Sequence, residues 1–428
     1  RVVHLARKHP GARILLATFT ETLANALRAR LRRLIGNEPR IAERVEVEAL
    51  DGLALRLHRR LMGPVTLVTS TDLADALRQA RADSEATTLG PRFLRDEWEQ
   101  VVDAWQVPSL EAYREISRVG RRTRLAASHR DVLWPVFERI RAHLADQGRS
   151  TLSQIYSALA ERFESGNARS PYDFAVIDEA QDLSVAQLRF FSALGGDRPN
   201  ALFFAGDLGQ RIFQAPFSWR ALGVDVRGRS RILRVNYRTS HQIRTHADRL
   251  LGPEISDIDG NREDRTDTVS VFNGPPPRIE TYPEESAEIV TVASWLKTQV
   301  EGGVTSDTVG VFVRSDAELP RAMKAVEQAS LKASLLDEKV TVPAGHVSVG
   351  TMHLAKGLEF GTVVVMACDD DVIPLQERIE AIGDEADLQE VYDTERHLLY
   401  VACTRARDHL LVTAVQPGSE FLEDLARV

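Results

Sequence analysis

The stretch Phe174-Ala175-Val176-Ile177-Asp178-Glu179-Ala180-Gln181-Asp182 constrains this chain more than any other. A short apolar, β-prone run ends in two adjacent carboxylates, then an amide and a third carboxylate. Such a run reads as a buried parallel strand, and in open α/β sheets ligands bind off the carboxyl ends of the strands. Asp178 is placed to hold Mg²⁺, which takes carboxylate and water oxygens beside nucleotide phosphates. Glu179 is placed to take a proton from an attacking water. The same letters also suit a solvated acidic turn after a core strand, so the remaining sequence has to decide.

Around this stretch the chain alternates strands and helices. Arg1 to His9 reads as the last turns of a helix, Ala12 to Thr18 as a buried strand, and Glu21 to Ile35 as an amphipathic helix. From Met62 to Arg149 the pattern is helical, with Trp98, Trp105 and Trp134 as core anchors and a basic cluster at Arg118, Arg121, Arg122, Arg124 and Arg130. Those arginines suit phosphate contacts or a solvated face. Strands return at 174–178, 201–206 and 231–235, and the polar segment 251–277 reads as a loop or linker. A second α/β set follows: strand 278–282, helix 284–300, strand 309–313, helix 319–329, strands near Val347 and at 362–366, a tail helix from Thr394, and a short strand at 410–413. The fold class is therefore α/β, two parallel-sheet domains with a helical insertion in the first. Residues 1–61 and 150–240 form the first domain, 62–149 the insertion, and 241–428 the second domain.

Composition narrows the classes. The apolar runs are far shorter than the roughly 20 residues a bilayer span needs, so no membrane association is expected. Cys368 and Cys403 give neither a disulfide framework nor zinc spacing, which fits a reducing cytoplasm. A net charge of −8 argues against a protein that coats duplex nucleic acid without regard to sequence, but not against one that threads a single strand through a local groove.

Further strand ends carry polar groups of the same kind. Phe203-Phe204-Ala205-Gly206-Asp207-Leu208-Gly209-Gln210 suits a neighbouring strand facing the same phosphates, with Gln210 able to sense a γ-phosphate. In Asn236-Tyr237-Arg238, the arginine's planar fork suits a phosphate and the tyrosine offers a flat face to a base. Thr351-Met352-His353-Leu354-Ala355-Lys356-Gly357-Leu358-Glu359-Phe360 gathers a Thr, His, Lys, Gly and Glu in ten residues. Leu399 to Arg407 places two arginines, Arg405 and Arg407, on a helix.

In this order the set resembles the signature of superfamily 1 helicases, in the UvrD/Rep/PcrA branch. Asp178 to Asp182 matches motif II, Gly206-Asp207 with Gln210 motif III, Asn236-Tyr237-Arg238 motif IV, Thr351 to Phe360 motif V and Tyr400 to Arg407 motif VI; Ala17-Thr18-Phe19-Thr20 is similar to motif Ia. The resemblance implies RecA-like (P-loop NTPase) domains using ATP and Mg²⁺ and acting on single-stranded or partly duplex DNA, with DNA repair as the setting. By it Asp178 binds Mg²⁺ and Glu179 activates water. Gln210, Arg238 and Arg405 touch the γ-phosphate, Tyr237 stacks on adenine, and Glu359, Gln181 and Gly357 belong to the nucleotide site. Phe19, Thr20, Thr351 and His353 contact the strand.

Four departures qualify it. A Gly-Lys-Thr or Gly-Lys-Ser phosphate loop (motif I, Walker A) occurs nowhere in these 428 residues. The chain opens with Arg1 in what looks like the tail of the helix that follows that loop. The loop is thus expected just upstream, and this chain alone is expected not to hydrolyse ATP. After motif III, Gln214-Ala215-Pro216 intervenes and leaves Phe217 or Trp219 as the DNA-stacking aromatic. The Thr-x-His that usually follows motif Ia is replaced around Ala49-Leu50-Asp51, and only about 100 residues separate motif IV from motif V, so the large second insertion of relatives is expected to be absent. The expectation is a compact ATP-dependent DNA helicase or single-strand translocase, 3′ to 5′ by analogy, coupling hydrolysis between two RecA-like domains to strand movement. Two rivals stand beside it: an ATPase-deficient DNA-binding fragment, and the helicase subunit of a nuclease or phage-defence complex, in which a nuclease or repair factor would be the protein partner. No second carboxylate set suggests a nuclease within the chain.

Overall fold

The structure is a computed structural model that describes all residues except 83–89, 117–124, 126, 213–216, 253, 257–258, 261, 266, 338–342, 381–384 and 428. Arg118, Arg121, Arg122 and Arg124 of the basic cluster, and Gln214 to Pro216, lie outside the described residues. The chain divides into two compact units, Arg1–Gly206 with Phe213–Arg227, and Asp207–Ile212 with Gly228–Val428. Residues 207–212 and 228–240 thus pack with the second unit.

The first unit is built on a four-stranded parallel sheet of β1 (Ile14–Thr18), β2 (Val45–Ala49), β3 (Phe174–Ile177) and β4 (Leu202–Phe204), in the order β2-β1-β3-β4. The apolar runs of β1 and β3 serve two cores at once because successive side chains leave a strand on opposite faces. Leu15, Ala17, Ala175 and Ile177 pack under helices Leu50–Met62, Leu152–Glu164 and Val185–Gly195. Ile14, Leu16 and Val176 pack on the other face, against Val2–Lys8 and Glu21–Ile35. Between residues 62 and 149, helices Ser70–Ala82, Pro91–Glu97, Leu110–Glu115 and Ala127–Asp146 close over a separate core of Trp98, Tyr113, Trp134 and Phe137. Trp105 is only partly buried there, its ring edge-on to Phe217 at 6.4 Å.

The second unit holds six parallel strands: β5 (Arg278–Tyr282), β6 (Val309–Val313), β7 (Lys332–Leu335), β8 (His346–Thr351), β9 (Phe360–Val365) and β10 (Ala406–Val415). Their order is β5-β10-β9-β6-β8-β7. Val363 and Val365 join one core with helices His241–Asp248 and Glu385–Cys403, while Val364 and Met366 join the other with Glu285–Glu301 and Leu319–Gln328. Among the described residues no helix is long and apolar enough to cross a membrane.

Four local expectations change. The strand expected at 231–235 contracts to Val235–Asn236, paired with Val269–Ser270. Residues 231–234 take no strand partner and Leu233 is 87% exposed; β-prone letters make a strand only where a neighbour accepts their backbone groups. Lys332–Leu335 is a strand although its letters are weakly β-prone, because an edge position needs pairing on one side only. The tail helix begins at Glu385, nine residues before Thr394, and ends at Cys403. Arg405 and Arg407 are consequently not helical: Arg405 sits in the turn after the helix, and Arg407 on β10, where it pairs with Asp408.

Candidate functional site

In the first unit the sheet delivers its carboxylates to one edge, as a parallel strand must. The Asp178 backbone N–H donates to the Ala17 carbonyl at 2.8 Å, and Ala180 N–H donates to the Ala205 carbonyl at 2.8 Å. The ends of β1, β3 and β4 are thereby stitched together. Glu179 sits between them with φ 55° and ψ 36°, the left-handed region that an L-residue with a long side chain rarely adopts. Its carboxylate accepts from Gln181 Nε2 at 2.7 Å, and the same amide reaches the buried Asp182 at 3.1 Å. Gly206 is required beside this turn, since a Cβ there would collide with Gln181 Oε1 and lie 3.0 Å from its backbone nitrogen. Asp178 and Glu179 themselves are half-buried, so their carboxylates are not sealed in the core.

The motif Ia residues flank this edge. The Thr20 hydroxyl accepts from Leu23 N–H at 3.2 Å and caps helix Glu21–Ile35, and Phe19 is half-buried against the core. Phe217 and Trp219 are half-buried as well, Phe217 edge-on to Trp105 and Trp219 edge-on to Phe204 at 5.0 Å. Asp51, in the stretch that stands in place of a Thr-x-His, accepts from Tyr156 at 3.1 Å, and burial raises its pKa despite that bond.

The second unit gathers the basic groups. Gln210 Nε2 donates to Asp207 Oδ2 at 2.8 Å, while Gln210 Oε1 accepts from Arg405 Nη2 at 2.8 Å. Lys356 donates to the Gln210 carbonyl at 2.5 Å. Arg405 is almost wholly buried, and its Nε donates to the Val401 carbonyl of the preceding helix at 3.0 Å. Arg238 pairs with Glu359 at 2.9 Å and donates to the Leu358 carbonyl. The Asn236 side chain shapes the loop carrying Arg238, accepting from the backbone N–H of Arg238 at 2.7 Å and of Thr239 at 3.1 Å. Tyr237 is 75% exposed, leaving its ring free to stack on a flat ligand. Gly357 has φ +80°, so its backbone freedom is used by the turn that leads to Glu359.

Thr351 ends β8 and His353 follows, half-buried. Burial pushes the imidazole pKa down to about 4, and the charges of Arg314 and Arg378 push the same way against Glu395. His353 is therefore neutral at physiological pH and suits a hydrogen bond to a strand rather than an ion pair. Because the folded value lies below the ordinary 6.5, this group contributes its full stability above that pH. The contribution is lost as pH falls from 6.5 towards 4, where the unfolded chain binds the proton and the folded one does not, at up to about 1.4 kcal/mol per pH unit. Denaturation midpoints measured across that window should fall less steeply for His353→Gln than for the parent; equal slopes would remove His353 as the titrating group.

Several residues at this site carried no assigned role in the sequence. Lys356 stood inside a recognised block. Arg314, directly after the apolar strand β6, gave the same strand-end signal as Asp178. Arg265 lies in the segment expected to be a linker, where no letter pattern points to it. Among the described residues no group of three or more His, Cys, Asp or Glu is arranged to hold a metal alone. Mg²⁺ fits the donors at the β3 end nonetheless, because it uses one or two carboxylates and keeps waters and phosphate oxygens as its other ligands.

Comparison with known proteins identifies the family. Two family models match, the UvrD/REP helicase N-terminal domain over residues 1–221 and the UvrD-like helicase C-terminal domain over 315–417. ATP-dependent DNA helicase Rep of Buchnera aphidicola is 26% identical over 140 residues, 32% of this chain and 18% of that protein. ATP-dependent DNA helicase UvrD1 of Mycobacterium leprae is 33% identical over 108 residues, 22% of this chain and 13% of that protein. ATP-dependent DNA helicase UvrD2 of Mycobacterium bovis is 23% identical over 527 residues, 96% of this chain and 73% of that protein. The chain thus spans less than a fifth of the first two relatives and about three quarters of the third. With one family description taking in more than half of the residues and a second taking in residues 315–417, Arg405 among them, the chain belongs to the UvrD/Rep-like superfamily 1 helicases.

Proposed function

We propose that the chain is the motor of an ATP-dependent DNA helicase or single-strand translocase, moving 3′ to 5′ by analogy with its family. The observation that carries the proposal is the left-handed Glu179 at the carboxyl end of β3. Backbone strain of this kind persists where the surrounding structure holds a functional group in place, and here the hold is Gln181 and the close approach allowed by Gly206. Asp178 would hold Mg²⁺, which when bound neutralises charge on the phosphoryl oxygens. Glu179 would accept the proton of the attacking water. Gln210, Arg238 and Arg405 would engage the γ-phosphate, and Tyr237 the adenine. Phe19, Thr20, Thr351 and His353 would meet the DNA strand, with Phe217 or Trp219 as the stacking ring; the Thr20 hydroxyl accepts as a helix cap and keeps its O–H to donate.

The alignment with UvrD2 runs over 527 residues while taking in 96% of this 428-residue chain. The relative therefore carries segments without a counterpart here, which supports a compact motor without the large second insertion. Hydrolysis would need a phosphate loop, and these 428 residues contain no Gly-Lys-Thr or Gly-Lys-Ser, which favours DNA binding without turnover for this stretch alone. ATP hydrolysis by the full natural protein, with and without oligo(dT), tests the proposal together with displacement from 3′- and 5′-tailed duplexes. The expected result is hydrolysis stimulated by single strands and displacement from 3′ tails only. Strand binding without stimulated hydrolysis would replace the motor by the DNA-binding reading.

A further inference from the structure

We propose that Arg265 is a positioning residue for the nucleotide site, acting through Asp207 to fix the Gln210 amide so that its oxygen faces Arg405. The proposal rests on the reading that Gln210 and Arg405 serve the γ-phosphate. Arg265 is 9% exposed, and its guanidinium reaches three elements of the second unit. It pairs with Asp248 at the end of helix His241–Asp248 at 3.1 Å, and donates to the Tyr400 hydroxyl while lying 4.9 Å from the centre of that ring. It also pairs with Asp207 Oδ1 at 3.2 Å.

The bond to Asp207 matters for the chemistry. Asp207 Oδ1 also accepts from Gly209 N–H at 2.9 Å, and Oδ2 accepts from Gln210 Nε2 at 2.8 Å. A carboxylate only accepts and a guanidinium only donates. With Asp207 on one side and Arg405 on the other, one orientation of the Gln210 amide satisfies both: nitrogen to Asp207, oxygen to Arg405. The loop that carries these groups is a single short turn, Leu208–Gln210, with little regular structure to hold it. Arg265 supplies the hold, joining that turn to a helix end and to Tyr400 on the helix that leads to Arg405. Gly209 leaves the space, since a Cβ there would lie 2.7 Å from Arg265 Nη1.

The test is single-strand-stimulated ATP turnover and ATP and ADP binding in the full natural protein, for Arg265→Gln, Gln210→Ala and the double variant. With Arg265 acting through Gln210, its replacement should lower kcat by about tenfold in the parent and change nothing further in the Gln210→Ala background. ADP affinity should stay within about twofold, and Arg265→Lys should restore part of the loss, since an ammonium keeps the charge without the planar fork. Losses that multiply in the double variant, or ATP and ADP affinity falling alike, would overturn the proposal by making Arg265 a general structural residue. Unchanged turnover in Gln210→Ala would instead remove the underlying reading of Gln210, and the proposal with it. If Arg265→Gln fails to fold, Asp207→Asn takes its place, with the same non-additivity expected and additive losses again decisive against.

Discussion

Glu179→Gln is expected to abolish strand-stimulated ATP turnover in the full natural protein, by at least about 100-fold, the usual contribution of a general base, while ATP binding survives. The substitution isolates the chemistry from the structure. Glutamine has the shape of glutamate, keeps an oxygen to accept from Gln181 Nε2, and occupies the left-handed backbone at 55°, 36° no less easily. What it removes is the ability to take a proton. Fluorescent-nucleotide binding and steady-state hydrolysis measured side by side separate the two effects. Retained turnover would dismiss Glu179 as the base; lost binding together with lost turnover would mean that the carboxylate shapes the site rather than acting in it.

The second large effect concerns stability. Glu395 is fully buried on helix Glu385–Cys403 and accepts from Arg314 in a two-pronged pair at 2.5 and 2.6 Å, with Arg378 donating at 2.8 Å. Burial alone would raise the Glu395 pKa; the Arg314 hydrogen bond and charge, aided by Arg378, outweigh it and hold the carboxyl below its ordinary value. Glu395→Ala leaves the Arg314 guanidinium, 6% exposed, without that carboxylate. Breaking a buried pair in this way costs about 3–5 kcal/mol, and at this size each kcal/mol lowers the melting midpoint by about 2–4 °C. Thermal unfolding should therefore show a loss on the order of 10 °C in the second unit. Arg314→Met combined with Glu395→Leu should recover much of it, because removing both charges also removes the desolvation cost. A single variant melting within about 2 °C of the parent would show that water or a rearranged neighbour replaces the carboxylate.

Particular residues show how much of this was legible in advance. The strands that lead to Asp178, Gln210 and His353, and the one that ends in Thr351, are readable because an apolar run with period two is a local property of neighbouring letters. The acids and arginines stood out because they follow such runs directly. The letters from Leu399 to Arg407 keep helical composition and so put Arg405 on a helix, yet the helix stops at Cys403 because Ala406 onwards is claimed by β10 pairing with β5 and β9. The segment 231–235 has strand letters and yet forms only two strand residues, because pairing depends on a neighbour that local letters do not supply.

By itself, then, the amino-acid order determines the α/β alternation, the chemistry at each strand end and the family, all of which are written in short contiguous stretches. Tertiary structure alone decides which of those groups meet. Gln210 and Arg405 stand 195 residues apart and share a hydrogen bond, Arg314 and Glu395 stand 81 apart and share a buried pair, and Arg265 reaches Tyr400 across 135 residues. Such contacts depend on strand order and on how helices close over the sheet, so they follow from the packing of the whole unit rather than from any window of sequence. The acidic end of β3 illustrates both sides: its letters announce a carboxylate site, while the left-handed turn that aims Glu179 exists because Gly206, on a neighbouring strand's exit, leaves room for Gln181.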